Sequence, residues 1–112
     1  MIKKYTPLPY NAGVVEFGSI RPIYPAGVNK KIGEEIQRMG KCYFDISTVR
    51  QQDYELAAAL GRRITKKIRI PAHVSVTQEH KARIDGVVYD IISIDYDGTQ
   101  QYLNLERAEA MS

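Results

Sequence analysis

The stretch Arg50–Gly61, RQQDYELAAALG, decides how this chain is read. Before it, KCYFDIST (41–48) alternates apolar and polar residues, and after it RRITKKIRIP (62–71) does the same. A period of two belongs to strands with one buried face. RQQDYELAAALG breaks that period. Ala57, Ala58 and Ala59 favour helix, Asp53 and Glu55 lie early, where the helix dipole stabilises acids, and Gly61 is a natural residue just past a helix end. A helix from about Gln51 to Leu60 is too short to persist alone, so it needs a surface to pack on. Leu56 and Leu60, four apart, share a face and are expected to cap one end of the strand scaffold.

Strand signals extend outward on both sides. In KCYFDIST, Cys42, Phe44 and Ile46 fall on one face and Tyr43, Asp45 and Ser47 on the other. In RRITKKIRIP, Ile64, Ile68 and Ile70 share a face opposite Arg63, Thr65, Lys67 and Arg69, while Lys66 interrupts the apolar side near a sheet end. VVYDIISIDY (87–96) is apolar on both faces and reads as the most buried strand. QYLNLER (101–107) turns Leu103 and Leu105 inward. The Asp-Gly pairs at Asp85–Gly86 and Asp97–Gly98 mark hairpin turns. AHVSVTQEHKARID (72–85) reads as a short alternating piece followed by a polar loop. Toward the N-terminus, a strand is expected from Val14 to about Arg21, ended by Pro22 and Pro25. In VNKKIGEEIQRMGK (28–41), Val28, Ile32, Ile36 and Met39 recur near helical spacing behind Asn29, but Gly33 interrupts them. Helix and irregular hairpin both stay open there. The sum is a mainly β fold: a small barrel of about five to six antiparallel strands with one short inserted helix. Residues 1–13 read as an extended arm and 14–112 as a single domain.

Composition sets further limits. At 112 residues, 44% hydrophobic and 26% charged, the chain is in the range of ordinary soluble globular domains. No run of eighteen apolar residues offers a membrane span. The opening MIKKYTPLPYNAG has no apolar core of the kind a signal peptide needs. The single cysteine, Cys42, cannot form an internal disulfide; it reads as a small buried hydrophobe in a chain made in a reducing compartment. The net charge of +3 is unevenly spread. Residues 1–67 hold twelve Lys/Arg against six Asp/Glu, and residues 68–112 hold four against seven. Such asymmetry suits a polyanion, two unlike faces that meet between subunits, or a plain solvated surface.

Catalytic chemistry finds little support. There is no glycine-rich phosphate loop. His73 and His80 lie in or near a loop remote in sequence from Cys42, too few ligands for a metal site. Asp90 and Glu106 could pair across adjacent strands, yet nothing sets them apart from two surface acids. Arg62, Arg63, Lys66, Lys67 and Arg69 make a basic strand of the kind seen on barrels that bind single-stranded nucleic acid, but no aromatic residue on that strand supplies a stacking platform.

In order and at this spacing, ISTVRQQDYELAAALGRRITKKIRIP, KARIDGVVYDIISID and the final QYLNLE strand resemble the head-closure (head–tail joining) proteins of tailed bacteriophages and prophages. The likeness runs from about Gly13 onward and is most specific at RQQDYELAAALG. It implies a small barrel with a helical insert, whose copies form a ring below the portal complex, typically twelve-fold. The ring closes the DNA channel after packaging and docks the tail. It implies no catalysis and no cofactor. The expected partners are a portal or adaptor protein, a tail protein, further copies of the chain, and duplex DNA through non-specific contact. The expected location is the head–tail interface of the virion, and the host cytoplasm during assembly. By matched position the insert at the channel is Arg50 to Arg63, with Arg50, Gln51, Gln52, Asp53, Tyr54, Arg62 and Arg63 as candidate channel or interface residues. Another connector or tail-end component is the neighbouring reading, and a single-strand nucleic-acid-binding barrel the alternative from a different class.

Overall fold

The computed structural model describes residues 10–24, 26–27 and 33–108. Of the arm expected at 1–13, residues 1–9 lie outside them, as does the possible N-cap at Asn29. Tyr10 and Asn11 donate their N–H groups to Asp45, and Gly13 already belongs to the first strand. Six strands and one helix follow in the order β1 (Gly13–Ile23), β2 (Gly33–Ser47), α1 (Gln51–Ala59), β3 (Lys66–Pro71), β4 (Lys81–Ile84), β5 (Val87–Tyr96) and β6 (Gln100–Arg107). All pairings are antiparallel, and the sheet closes on itself in the order β1-β2-β3-β6-β5-β4. Closure removes the open edges that a sheet this small would otherwise expose.

Alternation along each strand fills the interior. Val15 and Phe17 of β1, Phe44 of β2, Ile68 and Ile70 of β3, Ala82 and Ile84 of β4, Tyr89 and Ile91 of β5, and Leu103 and Leu105 of β6 form one buried cluster. Gln101, also inward, is buried, but its amide group donates to the carbonyls of Pro71, Ala72 and Val74, which fixes the loop between β3 and β4. That loop replaces the expected alternating piece: Val74 and Val76 pack on the core from irregular backbone, and Lys81–Ile84, expected within a polar loop, is the strand. The Asp85–Gly86 turn is a two-residue hairpin with both residues at positive φ, 51° and 79°, as the Asp-Gly signal predicts.

Two N-terminal expectations change. β2 begins at Gly33, so Gly33–Lys41 is strand and the helical spacing of Ile36 and Met39 is coincidental. A bulge explains the mimicry. Phe17 pairs with Gly40 and Gly18 with Arg38, leaving Met39 as the extra residue, and this shifts the apolar period. β1 continues through Pro22 to Ile23. Its pairing with β4 covers only Glu16–Gly18, so Pro22 lies where no second neighbour needs its missing N–H. Ile46 is also more exposed than alternation predicts, at 59%. β1 starts opposite Phe44, so no β1 residue pairs with Ile46 on that side.

Candidate functional site

The insert packs on the outside of the barrel. Its cap is local: the Arg50 N–H donates to Asp53 Oδ2 at 2.8 Å, so the acid in the first turn reaches back over the helix start. At the far end Gly61, at φ 68°, allows the Gly61 and Arg62 N–H groups to return to the carbonyls of Ala58 (3.0 Å) and Ala57 (2.8 Å). Those two bonds satisfy carbonyls the helix would otherwise leave open.

The buried face of α1 is not the one its leucines suggest. Asp53 and Ala57 face the wall, while Leu56 and Leu60 are 45% and 57% exposed. The expectation that these leucines cap the barrel is therefore corrected. The wall itself gives the reason. Outward residues of β3, β5 and β6 beneath the helix are Lys67, Ser93 and Asn104, all buried. Lys67 Nζ donates to Asp53 Oδ2 at 2.8 Å. Asn104 Nδ2 donates to Ser93 Oγ at 2.9 Å and, at 3.4 Å, to Asp53 Oδ1. Asn104 Oδ1 is buried with no partner among the described residues. A bulge at Ile92 turns that residue outward as well, where it meets Ala57, Ile64 and Val49 in a small second cluster. β5 is thus buried on both sides, inside by the core and outside by α1, as its doubly apolar sequence predicts. Burial works to raise the Asp53 carboxyl, but the Lys67 ammonium and the Arg50 N–H and side chain outweigh it and hold Asp53 well below the usual carboxylate range.

The candidate residues separate accordingly. Gln51, Gln52 and Tyr54 lie on exposed positions of α1, and Gln51 reaches only Glu55, four residues on. Asp53 lies beneath the helix, bound to its own barrel. Arg50 is exposed, with its Nε 3.4 Å from Asp53. Arg62 bridges Glu106 (2.5 Å) and Asp90 (3.1 Å), and Lys81 binds Asp90 from the other side. Asp90 and Glu106 do stand opposite each other on β5 and β6, but cations occupy the space between and beside them. The Arg62 side chain, then the Arg63 N–H, lower the Glu106 carboxyl. Arg63 has its backbone tied to Glu106 at 2.8 Å and its side chain in solvent.

The basic strand is dismantled by the same contacts. Lys67 is buried under α1, Arg62 is spent on two acids, and Arg69 binds Asp45 at 2.6 Å while its guanidinium lies 5.9 Å from the Tyr10 ring centre. The Arg69 side chain and then the Tyr10 N–H lower the Asp45 carboxyl. Among the described residues, Arg62, Lys67 and Arg69 do not make a continuous cationic groove on this face. Sequence reasoning missed the buried role of Lys67 and Asn104. The signal available was a lysine and an asparagine at outward positions of neighbouring strands, with an aspartate in the intervening helix.

Among the described residues no group of three or more His, Cys, Asp or Glu is placed to hold a metal ion. No described helix is long and apolar enough to cross a membrane.

The described residues thus form a closed antiparallel barrel with one helix laid along its wall. Comparison with protein families gives the class: residues 23–110 match the phage head completion protein model. The chain belongs to that family, one of phage structural proteins, and its role is that of a phage head component. No curated protein matches the chain.

Proposed function

We propose that the chain is a subunit of a head-closure ring that binds below the portal complex, closes the DNA channel after packaging and docks the tail. The observation that carries this reading is the family match over residues 23–110, which includes the whole insert. The geometry of α1 adds to it. Gln51, Gln52, Tyr54 and Leu56 of the helix and Leu60 at its end are all exposed, and the attachment is narrow, through Asp53 to Lys67 and Asn104 and through Ala57 to Ile64 and Ile92. Exposed leucines and a tyrosine beside two amides suit contact with protein. The small side chains of exposed Ala58 and Ala59 let several copies of the helix crowd near an axis. Arg50 and Arg63 place cations at either end of the segment without lining it densely. A channel that must pass duplex DNA favours few, salt-screened charges over a tight phosphate grip.

Purified chain mixed with its portal complex, followed by light scattering and electron microscopy, tests the proposal. A ring on the portal, and loss of tail attachment when Gln51, Gln52 and Tyr54 are replaced together by alanine with the melting temperature unchanged, is the expected result. Failure of the wild-type chain to add to the portal would overturn it.

A further inference from the structure

Most arginines of the described structure already have a carboxylate. Arg38 and Arg83 meet Glu16, Arg50 meets Asp53, Arg62 meets Asp90 and Glu106, and Arg69 meets Asp45. Two described arginine side chains, Arg63 and Arg107, are exposed and meet no carboxylate among the described residues. Both flank one open cleft of about 870 Å³, at the end of the barrel where α1 stops and the β4–β5 turn lies. Their backbones are fixed: the Arg63 N–H donates to Glu106 and the Arg107 N–H to the Thr65 hydroxyl, each at 2.8 Å. Glu106 lines the cleft too, but Arg62 already takes its charge. Asp85 stands in the adjoining turn, one residue from the lining Gly86.

The other end of the same β5–β6 hairpin is its opposite in charge. Asp95, Tyr96 and Asp97 are exposed there. The turn is rigid: Asp97 Oδ1 accepts from the Thr99 N–H (3.0 Å), the Gln100 N–H (2.9 Å) and the Thr99 hydroxyl (3.0 Å). Those bonds, the Thr99 N–H first, keep the Asp97 carboxyl below its usual range and so ionised at neutral pH. Asp95 shares its surroundings with Arg50, which already leans toward Asp53. The two ends are separated by about 25 Å of strand. Two unlike, complementary faces at opposite ends of a rigid body are what a head-to-tail contact requires, and repeated head-to-tail contacts that close make a ring.

We propose that the Arg63–Arg107 cleft is the socket for the Asp95–Asp97 turn of the next copy of this chain. This rests on the ring reading above and names the lateral contact within it. A phosphodiester could occupy two arginines as well. The protein partner is favoured because the chain itself carries a rigid acidic turn at the other end of the hairpin.

A charge-swap mixing experiment on portal complexes tests the contact. One variant carries Arg63→Glu and Arg107→Glu. The other carries Asp95→Arg and Tyr96→Arg, with Asp97 kept because it holds the turn. Circular dichroism and melting curves establish that each is folded. Each variant alone is expected to need at least a tenfold higher concentration to fill the portal, since one of its two faces now repels. An equimolar mixture is expected to recover to within about threefold of wild type, because each mutant face then meets its complement in an alternating ring. Wild-type assembly is expected to weaken with added salt. Both variants assembling like wild type, or folded variants that fail even when mixed, would overturn the contact. So would loss of assembly confined to the arginine variant together with loss of duplex oligonucleotide retardation, which would assign the cleft to phosphate. Should the wild-type chain itself never join the portal, the ring reading fails, and this contact with it.

Discussion

Lys67→Met strikes the attachment of α1 directly. The methionine keeps most of the buried stem but removes the ammonium that Asp53 faces at 2.8 Å, at a place where the two side chains are only 3% and 4% exposed. Removing one partner of a buried pair costs about 3–5 kcal/mol, chiefly because a charge is left without compensation. Asp53 would retain the Arg50 N–H at 2.8 Å and the partly exposed Arg50 side chain at 3.4 Å, so the lower end, about 3 kcal/mol, is expected. For a chain of this size that is a fall of about 10–15 °C in melting temperature. The pH dependence has a definite sign. In the wild type the lowered Asp53 contributes stability that is complete above its unfolded value near 3.9 and is lost as pH falls below that toward the folded value. In Lys67→Met the unpaired carboxylate is the liability, so the deficit against wild type shrinks as acid protonates Asp53. The double replacement Asp53→Leu with Lys67→Met, which removes both charges, is expected to recover most of the loss. Urea unfolding at pH 7 and at pH 4 measures all of this. A single-variant cost below about 1 kcal/mol, or a double variant no better than the single, would refute the view that this pair holds the helix down.

Other sites give sharper local tests. Gly18→Ala would bring a Cβ within 2.5 Å of the Gln37 carbonyl oxygen and should lower stability by about 1–3 kcal/mol, whereas Gly40→Ala, with nothing within 4 Å, should stay within about 0.5 kcal/mol; paired thermal melts decide this. Gly61→Ala forces a side chain onto φ 68° and should cost about 1 kcal/mol, seen as faster amide exchange at the end of α1. Burial pushes the Cys42 thiol up to about 11, so the native protein should react slowly with thiol reagents at pH 8 and quickly in urea. The same shift means that Cys42 contributes stability below pH 9 that disappears between about pH 9 and 11.

How much of this was legible in the sequence depended on whether a residue's chemistry matched its surroundings. Ile68, Ile70, Leu103 and Leu105 line the barrel as their alternation says, and Asp85–Gly86 turns as an Asp-Gly pair should. The helix and its Gly61 terminus were equally plain, because capping is a local matter. Its orientation was not. Leu56 and Leu60 look like the buried stripe, yet a wall made of Lys67, Asn104 and Ser93 selects Asp53 and Ala57 instead. A buried ion pair reverses the hydrophobic rule, and its two members lie fourteen residues apart on different elements. β4 escaped notice because Lys81–Ile84 is four residues long and half charged; its strand character comes from pairing with β1 and β5. The bulge at Met39 disguised the first half of β2, since one inserted residue turns a period of two into apparent helical spacing.

The candidate site divides along the same line. Gln51, Gln52 and Tyr54 come from the family resemblance, and the structure leaves all three exposed on α1. Arg62, Lys67 and Arg69 could not be told from a nucleic-acid-binding stripe until Asp53, Asp45, Asp90 and Glu106 were placed beside them. Opposite charges close in space but distant along the chain are invisible to periodicity. Here they tie Arg62, Lys67 and Arg69 into ion pairs within the chain.

The most direct measurement is an electron cryomicroscopy map of the chain assembled on its portal complex. The account predicts copies arranged in a ring, with Gln51, Gln52 and Tyr54 of α1 turned toward the bore or an adjoining copy. A map with those residues facing outward, remote from both the bore and neighbouring copies, would contradict it.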